Sequence, residues 1–135
     1  MKVLAVDYGS RRVGLAVGDT LIRVATPLPL VAANNHRSLL DEIARRVGEF
    51  EVGHIVVGYP LNMDGSRGPA CDPVDRFVNS LRRRFALPVT LVDEALSSVA
   101  AEEMSKEIEG DFRKRKKFLD SVAAQVILQA YFEQP

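Results

Sequence analysis

The chain has 135 residues, 47% of them hydrophobic and 27% charged, with 18 basic against 18 acidic side chains and a formal net charge of zero. At this length folding buries about two thirds of the extended chain's surface, so a single domain over residues 1–135 with its own core is expected. Composition excludes disordered, collagen-like and coiled-coil arrays, and no apolar run approaches the ~20 residues of a membrane span.

Residues 2–6 form a short apolar run rich in β-formers and read as a buried strand. Asp7-Tyr8-Gly9-Ser10 is turn chemistry, and residues 13–17 follow as a second strand, close enough for a hairpin. A third extended piece spans 24–30, where Pro27 and Pro29 demote it to an edge. Ser38 opens a helix, with Asp41 completing a capping-box pattern; Leu39, Leu40, Ile43, Ala44, Val47 and Phe50 make its apolar face. A buried strand at 54–57 ends in Gly58, and 59–71 is a loop with two prolines. Asp72-Pro73 reads as a cap followed by proline at the first helical position. A further buried strand covers 89–92, a helix capped by Ser97-Ser98 runs to 108, 110–117 is a basic connection, and the last helix spans 119–132. The pattern predicts an α/β fold: a five-stranded mixed sheet, three antiparallel strands then two parallel, with helices on both faces.

The apolar strands end in acids. Asp7 closes the first and Asp93-Glu94 the last, while Asp120 falls in the expected first turn of the final helix. Parallel strands align like ends, where ligands collect, so these carboxylates could converge. Carboxylates brought together repel and take up protons; a divalent cation with oxygen ligands removes that penalty and suits phosphodiester hydrolysis. Each acid taken alone also reads as an ordinary turn or helix-end acid. The segment from Gly58 to Gly65 lacks the ending of a Walker loop but offers close backbone approach, with Asn62 and Ser66 as donors to phosphate. Arg11 and Arg12, and the run Arg113, Lys114, Arg115, Lys116 and Lys117, read as phosphate contacts or as solvated surface. Cys71 excludes an internal disulfide and suits the cytoplasm; His36 and His54 have no catalytic partner in sequence and, with one cysteine, form no common zinc pattern.

Together these segments resemble the YqgF/RuvX family, a branch of the RuvC-like, RNase H-like nucleases. The opening strand-turn-strand with Asp7-Tyr8-Gly9 carries the likeness, as do Gly58-Tyr59-Pro60-Leu61-Asn62-Met63-Asp64-Gly65, Asp93-Glu94-Ala95-Leu96-Ser97 and Asp120-Ser121-Val122-Ala123-Ala124. The resemblance implies an RNase H-like fold and a nuclease site with Mg²⁺ or Mn²⁺ on Asp7, Glu94 and Asp120, and Asp93 as a helper. It further implies action on structured nucleic acid. Family members are associated with maturation of the 5′ end of pre-16S rRNA and others with resolution of four-way DNA junctions, where a two-fold substrate favours a homodimer. Ala95 departs from the family arginine and motivates a rival reading, a non-catalytic ribosome assembly factor. A nucleotide-clamping ATPase or kinase of the actin-like kind shares the strand order, but needs two such domains.

Overall fold

The computed structural model describes residues 1–94 and 112–134, with 112–121 described by backbone alone. In chain order the elements are β1 (Lys2–Tyr8), β2 (Arg12–Asp19), β3 (Ala25–Ala32), α1 (His36–Glu49), β4 (Val52–Tyr59), α2 (Cys71–Arg84), β5 (Val89–Asp93) and α3 (Phe112–Glu133).

The strands form one sheet in the order β3-β2-β1-β4-β5. β1 and β2 pair antiparallel, as do β2 and β3, while β4 runs parallel to both β1 and β5. This is the expected mixed sheet. Short turns close the antiparallel hairpins, and each parallel pair is joined by a helical crossover. Among the described residues β3 pairs with β2 alone, which is why Pro27 and Pro29 are tolerated there.

Side chains of a strand alternate between faces, and the sheet uses both. Leu4, Val6, Val13 and Leu15 pack against Leu39 and Ile43 of α1 and Val74, Phe77, Val78 and Leu81 of α2. On the other face Val3, Ala5, Ala16 and Val56 meet Ala124, Ile127, Leu128 and Phe132 of α3. Helices therefore cover both faces, as the pattern predicted. The small alanines on the α3 side let that helix approach the sheet closely.

Three helix starts differ from expectation. Asn35, not Ser38, caps α1: its side-chain oxygen accepts from the Ser38 amide. α2 begins at Cys71, one residue before the expected cap, and Asp72 lies in its first turn. α3 begins at Phe112, so residues 113–117 are helical and Asp120 is an interior position, not a first-turn one. Arginine and lysine are good helix formers, and neither glycine nor proline interrupts 112–133. The helix expected over 97–108 lies outside the described residues. No helix among the described residues is long and apolar enough to cross a membrane.

Candidate active site

The parallel register aligns the carboxyl ends of three strands. Val6 pairs with Val57, Gly58 with Val92, and Tyr59 with Asp93. Asp7 therefore leaves β1 beside the end of β4, and Glu94 leaves β5 on the other side of it. Asp7, Asp93 and Glu94 are all half-buried.

Glu94 and Asp7 are joined by a side-chain hydrogen bond. Burial, then that bond and the charge of Asp7, and then the charge of Asp93 push the Glu94 carboxyl up to about 9. At neutral pH Glu94 is therefore protonated and donates to the Asp7 carboxyl. The strand between them makes room for this contact. A Cβ on Gly58 would stand 2.9 Å from both Cγ and Oε1 of Glu94, and 2.5 Å from Cδ1 of Ile127. Any side chain at 58 would collide with the acid on one side and with α3 on the other. The sequence suggests close backbone approach at this glycine but assigns it to phosphate; in the structure the group that comes close is Glu94.

Beside Asp7 lies a pocket of about 310 Å³, bounded by Gly9, Ser10, Arg11, Arg12 and Gly14. Its floor depends on the tight hairpin, where the Gly9 amide donates to the Arg12 carbonyl and a Cβ on Gly9 would sit 2.5 Å from that oxygen. The structure thus brings Arg11 and Arg12 to the same pocket as Asp7.

The loop after β4 is tied internally. Asn62 Nδ2 donates to Ser66 Oγ at 3.0 Å, and the Ser66 amide donates to Asp64 Oδ1 at 2.9 Å. Arg67 pairs with Asp72 and Asp75 of α2, and the Tyr59 hydroxyl donates to Asp75 at 2.9 Å. Asn62 and Ser66 therefore already have partners within the loop. Spacing gives no sign of the Tyr59–Asp75–Arg67 link, because it joins a strand end to a helix across an irregular loop.

Position 120 stands seven residues, close to two helical turns, before Ile127, the residue that covers Gly58. The side chains of Asp120 and of 113–117 lie outside the described ones. Among the described residues no three His, Cys, Asp or Glu side chains gather in a metal-holding group. Two carboxyl groups meet, and once both are ionised they are hard oxygen donors of the kind that take Mg²⁺ together with water and phosphate. His54, packed between Thr90 Oγ1 at 2.7 Å and the Tyr131 hydroxyl at 3.5 Å, is structural. Cys71 is buried.

Known structures share this fold. Thermus thermophilus RuvC in complex with a Holliday junction substrate aligns over 98% of this chain and 93% of its own, with a TM-score of 0.53 and 17% identity. The fowlpox virus Holliday junction resolvase aligns over 98% and 99%, with a TM-score of 0.54 and 15% identity. Identities this low speak for the fold. Sequence relatives are nearer. Proteins named "Putative pre-16S rRNA nuclease" include one of Maridesulfovibrio salexigens, 43% identical over 97% of each chain. Others come from Chloroflexus aurantiacus, 41% identical over 97% of this chain and 86% of its own, and Geobacillus kaustophilus, 40% identical over 98% of each. A family model described as RuvX, Holliday junction resolvase, matches residues 1–134.

The mixed sheet has the strand order of the RNase H-like fold, and the relatives of 40% identity or more place the chain among nucleases. Within that class, the match over nearly the whole length decides the membership: the chain belongs to the RuvX family.

Proposed function

We propose that this chain is a divalent-metal-dependent endonuclease of structured nucleic acid, whose task is processing the 5′ end of pre-16S rRNA in ribosome biogenesis. The observation that carries the reading is the Asp7–Glu94 pair, two carboxyl groups held together at the cost of protonating one of them. Burial and the charges of Asp7 and Asp93 act against an ionised Glu94, and a bound cation would relieve both. The curated relatives' name supplies the rRNA precursor as substrate.

In this reading Asp7, Glu94 and Asp120 are the catalytic and metal-holding residues and Asp93 assists them. Support for Asp120 is its place two turns from Ile127 on the helix that covers Gly58. Mg²⁺ or Mn²⁺, when bound, supplies the positive charge that activates water and stabilises the leaving oxygen. Asp7 and Glu94 orient that charge, and Glu94 gives up its proton as it binds. Arg11 and Arg12 hold the substrate phosphate in the neighbouring pocket. The loop carrying Asn62 and Ser66 and the helical run 113–117 hold the backbone on either side, recognising phosphate and shape more than base edges. The single domain over residues 1–135 works in the cytoplasm, where its one buried cysteine stays reduced.

A second reading, resolution of four-way DNA junctions by a homodimer, is favoured by the family's description and by the junction bound to RuvC. A cleavage assay separates the two. A structured rRNA precursor and a four-way junction are incubated with Mg²⁺, Mn²⁺ or EDTA, with Asp7→Asn as control. The rRNA reading predicts metal-dependent cutting of the precursor that the substitution abolishes. Faster cutting of the junction overturns it in favour of the resolvase. Binding of both substrates without any cutting leaves the scaffold reading.

A further inference from the structure

A cleft opens at the same carboxyl end of the sheet as the acids, on the opposite face. Asp7 and Tyr8 are consecutive in β1, about 3.8 Å apart along the chain, and their side chains point to opposite faces. Asp7 faces the α3 side with Val3 and Ala5. Tyr8 faces the α1–α2 side, its ring stacked on Phe77 with centroids 4.3 Å apart. From Tyr8 outward runs a cleft of about 430 Å³, walled by His36 at the start of α1 and by Arg76, Asn79, Ser80 and Arg83 of α2.

The chemistry of this cleft is one-sided. Arg76, Asn79, Ser80 and Arg83 follow at i, i+3, i+4 and i+7, a single helical face, and every side chain of that set carries a donor. His36 Nε2 and Ser80 Oγ lie 3.2 Å apart and join the two helices. Among the described residues no carboxylate lines the cleft. The three consecutive arginines of α2 make the contrast visible. Arg82 donates to the Val89 carbonyl and Arg84 pairs with Asp41, whereas Arg83 reaches only Ser80. Among the described residues Arg76 and Arg83 have no acidic partner, and both are exposed. Two arginines without acidic partners on one helical face make an anion-binding wall. A guanidinium fits phosphate with two parallel hydrogen bonds.

We infer that the cleft between the start of α1 and the Arg76–Arg83 face of α2 holds the phosphate backbone of the nucleic-acid strand as it leaves the acid pair. This inference rests on the nuclease reading, because it takes its ligand to be the flanking part of the same substrate. A strand whose reacting phosphate lies over Asp7 and Glu94 passes the end of β1 at Tyr8 and enters the cleft. The cleft thereby gives the substrate a direction across the site, which an acid pair alone cannot do.

The test is binding of the structured rRNA precursor to the full chain in EDTA, by fluorescence anisotropy over a range of salt concentrations. Wild type is compared with the double variant Arg76→Gln/Arg83→Gln, with Arg76→Lys/Arg83→Lys, and with Arg23→Gln. Arg23 lies in the β2–β3 turn, at the opposite end of the sheet from Asp7. Two lost phosphate contacts lower the slope of log K against log salt by about 1.4–1.8. They weaken binding about three- to tenfold at moderate salt. The lysine pair restores the slope, and Arg23→Gln leaves it unchanged. If the double glutamine variant keeps the wild-type slope and affinity while wild type binds and cuts, the cleft inference fails and the nuclease reading stands. If wild type binds no nucleic acid, both fail. A titration with a mononucleotide is the remaining arm: tight binding that depends on Arg76 and Arg83, with precursor binding indifferent to them, overturns the inference in favour of a small-ligand pocket.

Discussion

Glu94 keeps a proton that a carboxyl group in water would have lost, and this has a sign that can be measured. Its folded-state value, about 9, lies above the ordinary 4.5. Between those limits the folded protein holds a proton that the unfolded chain has released, so stability of the metal-free protein falls as pH rises. Glu94→Gln removes this titration and keeps a donor facing Asp7. In EDTA its melting temperature is predicted to be higher than that of wild type at alkaline pH, with the gap closing as pH falls toward 4.5. Two superimposable melting profiles would refute the shared proton. Gly58 is the second decisive residue. Gly58→Ala forces a methyl group between Glu94 and Ile127. A shift of about 1 Å at a catalytic group costs about 100-fold in rate, and overpacking costs about 1–3 kcal/mol of stability. Measured kcat/KM and urea midpoints check both. Acids at strand ends were legible in the sequence, because an apolar run closing in aspartate shows where a strand meets solvent. The Gly58–Glu94 approach was not, since it depends on the register of β4 against β5.

Among the elements, the loop between β4 and α2 is tied to α2 by its own Arg67 and internally by Asp64 and Ser66. Asp75 accepts from both Arg67 and Tyr59, and those bonds hold its carboxyl below the ordinary carboxylate range. Tyr59→Phe removes one of these bonds, with an expected loss of about 1 kcal/mol and faster hydrogen exchange of the amides at Asn62 and Gly65, which close turns within the loop. A variant with unchanged exchange would show that the loop holds without the link. Helix α3 carries the opposite wall. Ile127 is fully buried against the sheet, so Ile127→Ala costs about 2–5 kcal/mol, readable from the urea midpoint. The apolar stripes of α1 and α2 were legible from helical spacing. The first turns were not, because caps compete: Asn35 lies three residues before Ser38 and takes its amide. The basic run 113–117 reads as a connection because charge resembles loop composition, yet its residues are good helix formers and α3 continues through them.

At the scale of the whole molecule, connectivity decides the site. Short turns between the first three strands fix antiparallel pairing, and helices between the later ones fix parallel pairing. That much follows from spacing, and so the mixed sheet was legible in advance. Which side chains gather is a further step. The topology puts β1 between β2 and β4, so one strand end, Asp7-Tyr8, lies at the arginine hairpin, the acid of β5 and the cleft of α2. A formal net charge of zero conceals this distribution, since the ion pairs of α1 engage Arg45 and Arg46 while Arg76 and Arg83 have no acidic partner among the described residues.

The most direct test of the central claim, that Asp7 and Glu94 are gathered to hold a divalent cation, is the melting temperature of wild type, Asp7→Asn and Glu94→Gln as Mn²⁺ or Mg²⁺ is titrated near neutral pH. At a cation concentration 100 times Kd the gain is about 2.7 kcal/mol, or about 8–11 °C for a domain of this size. If the pair holds a cation, the wild-type melting temperature rises with cation concentration and both variants lose most of that rise. A wild-type melting temperature indifferent to either cation, or an equal rise in all three proteins, would contradict it.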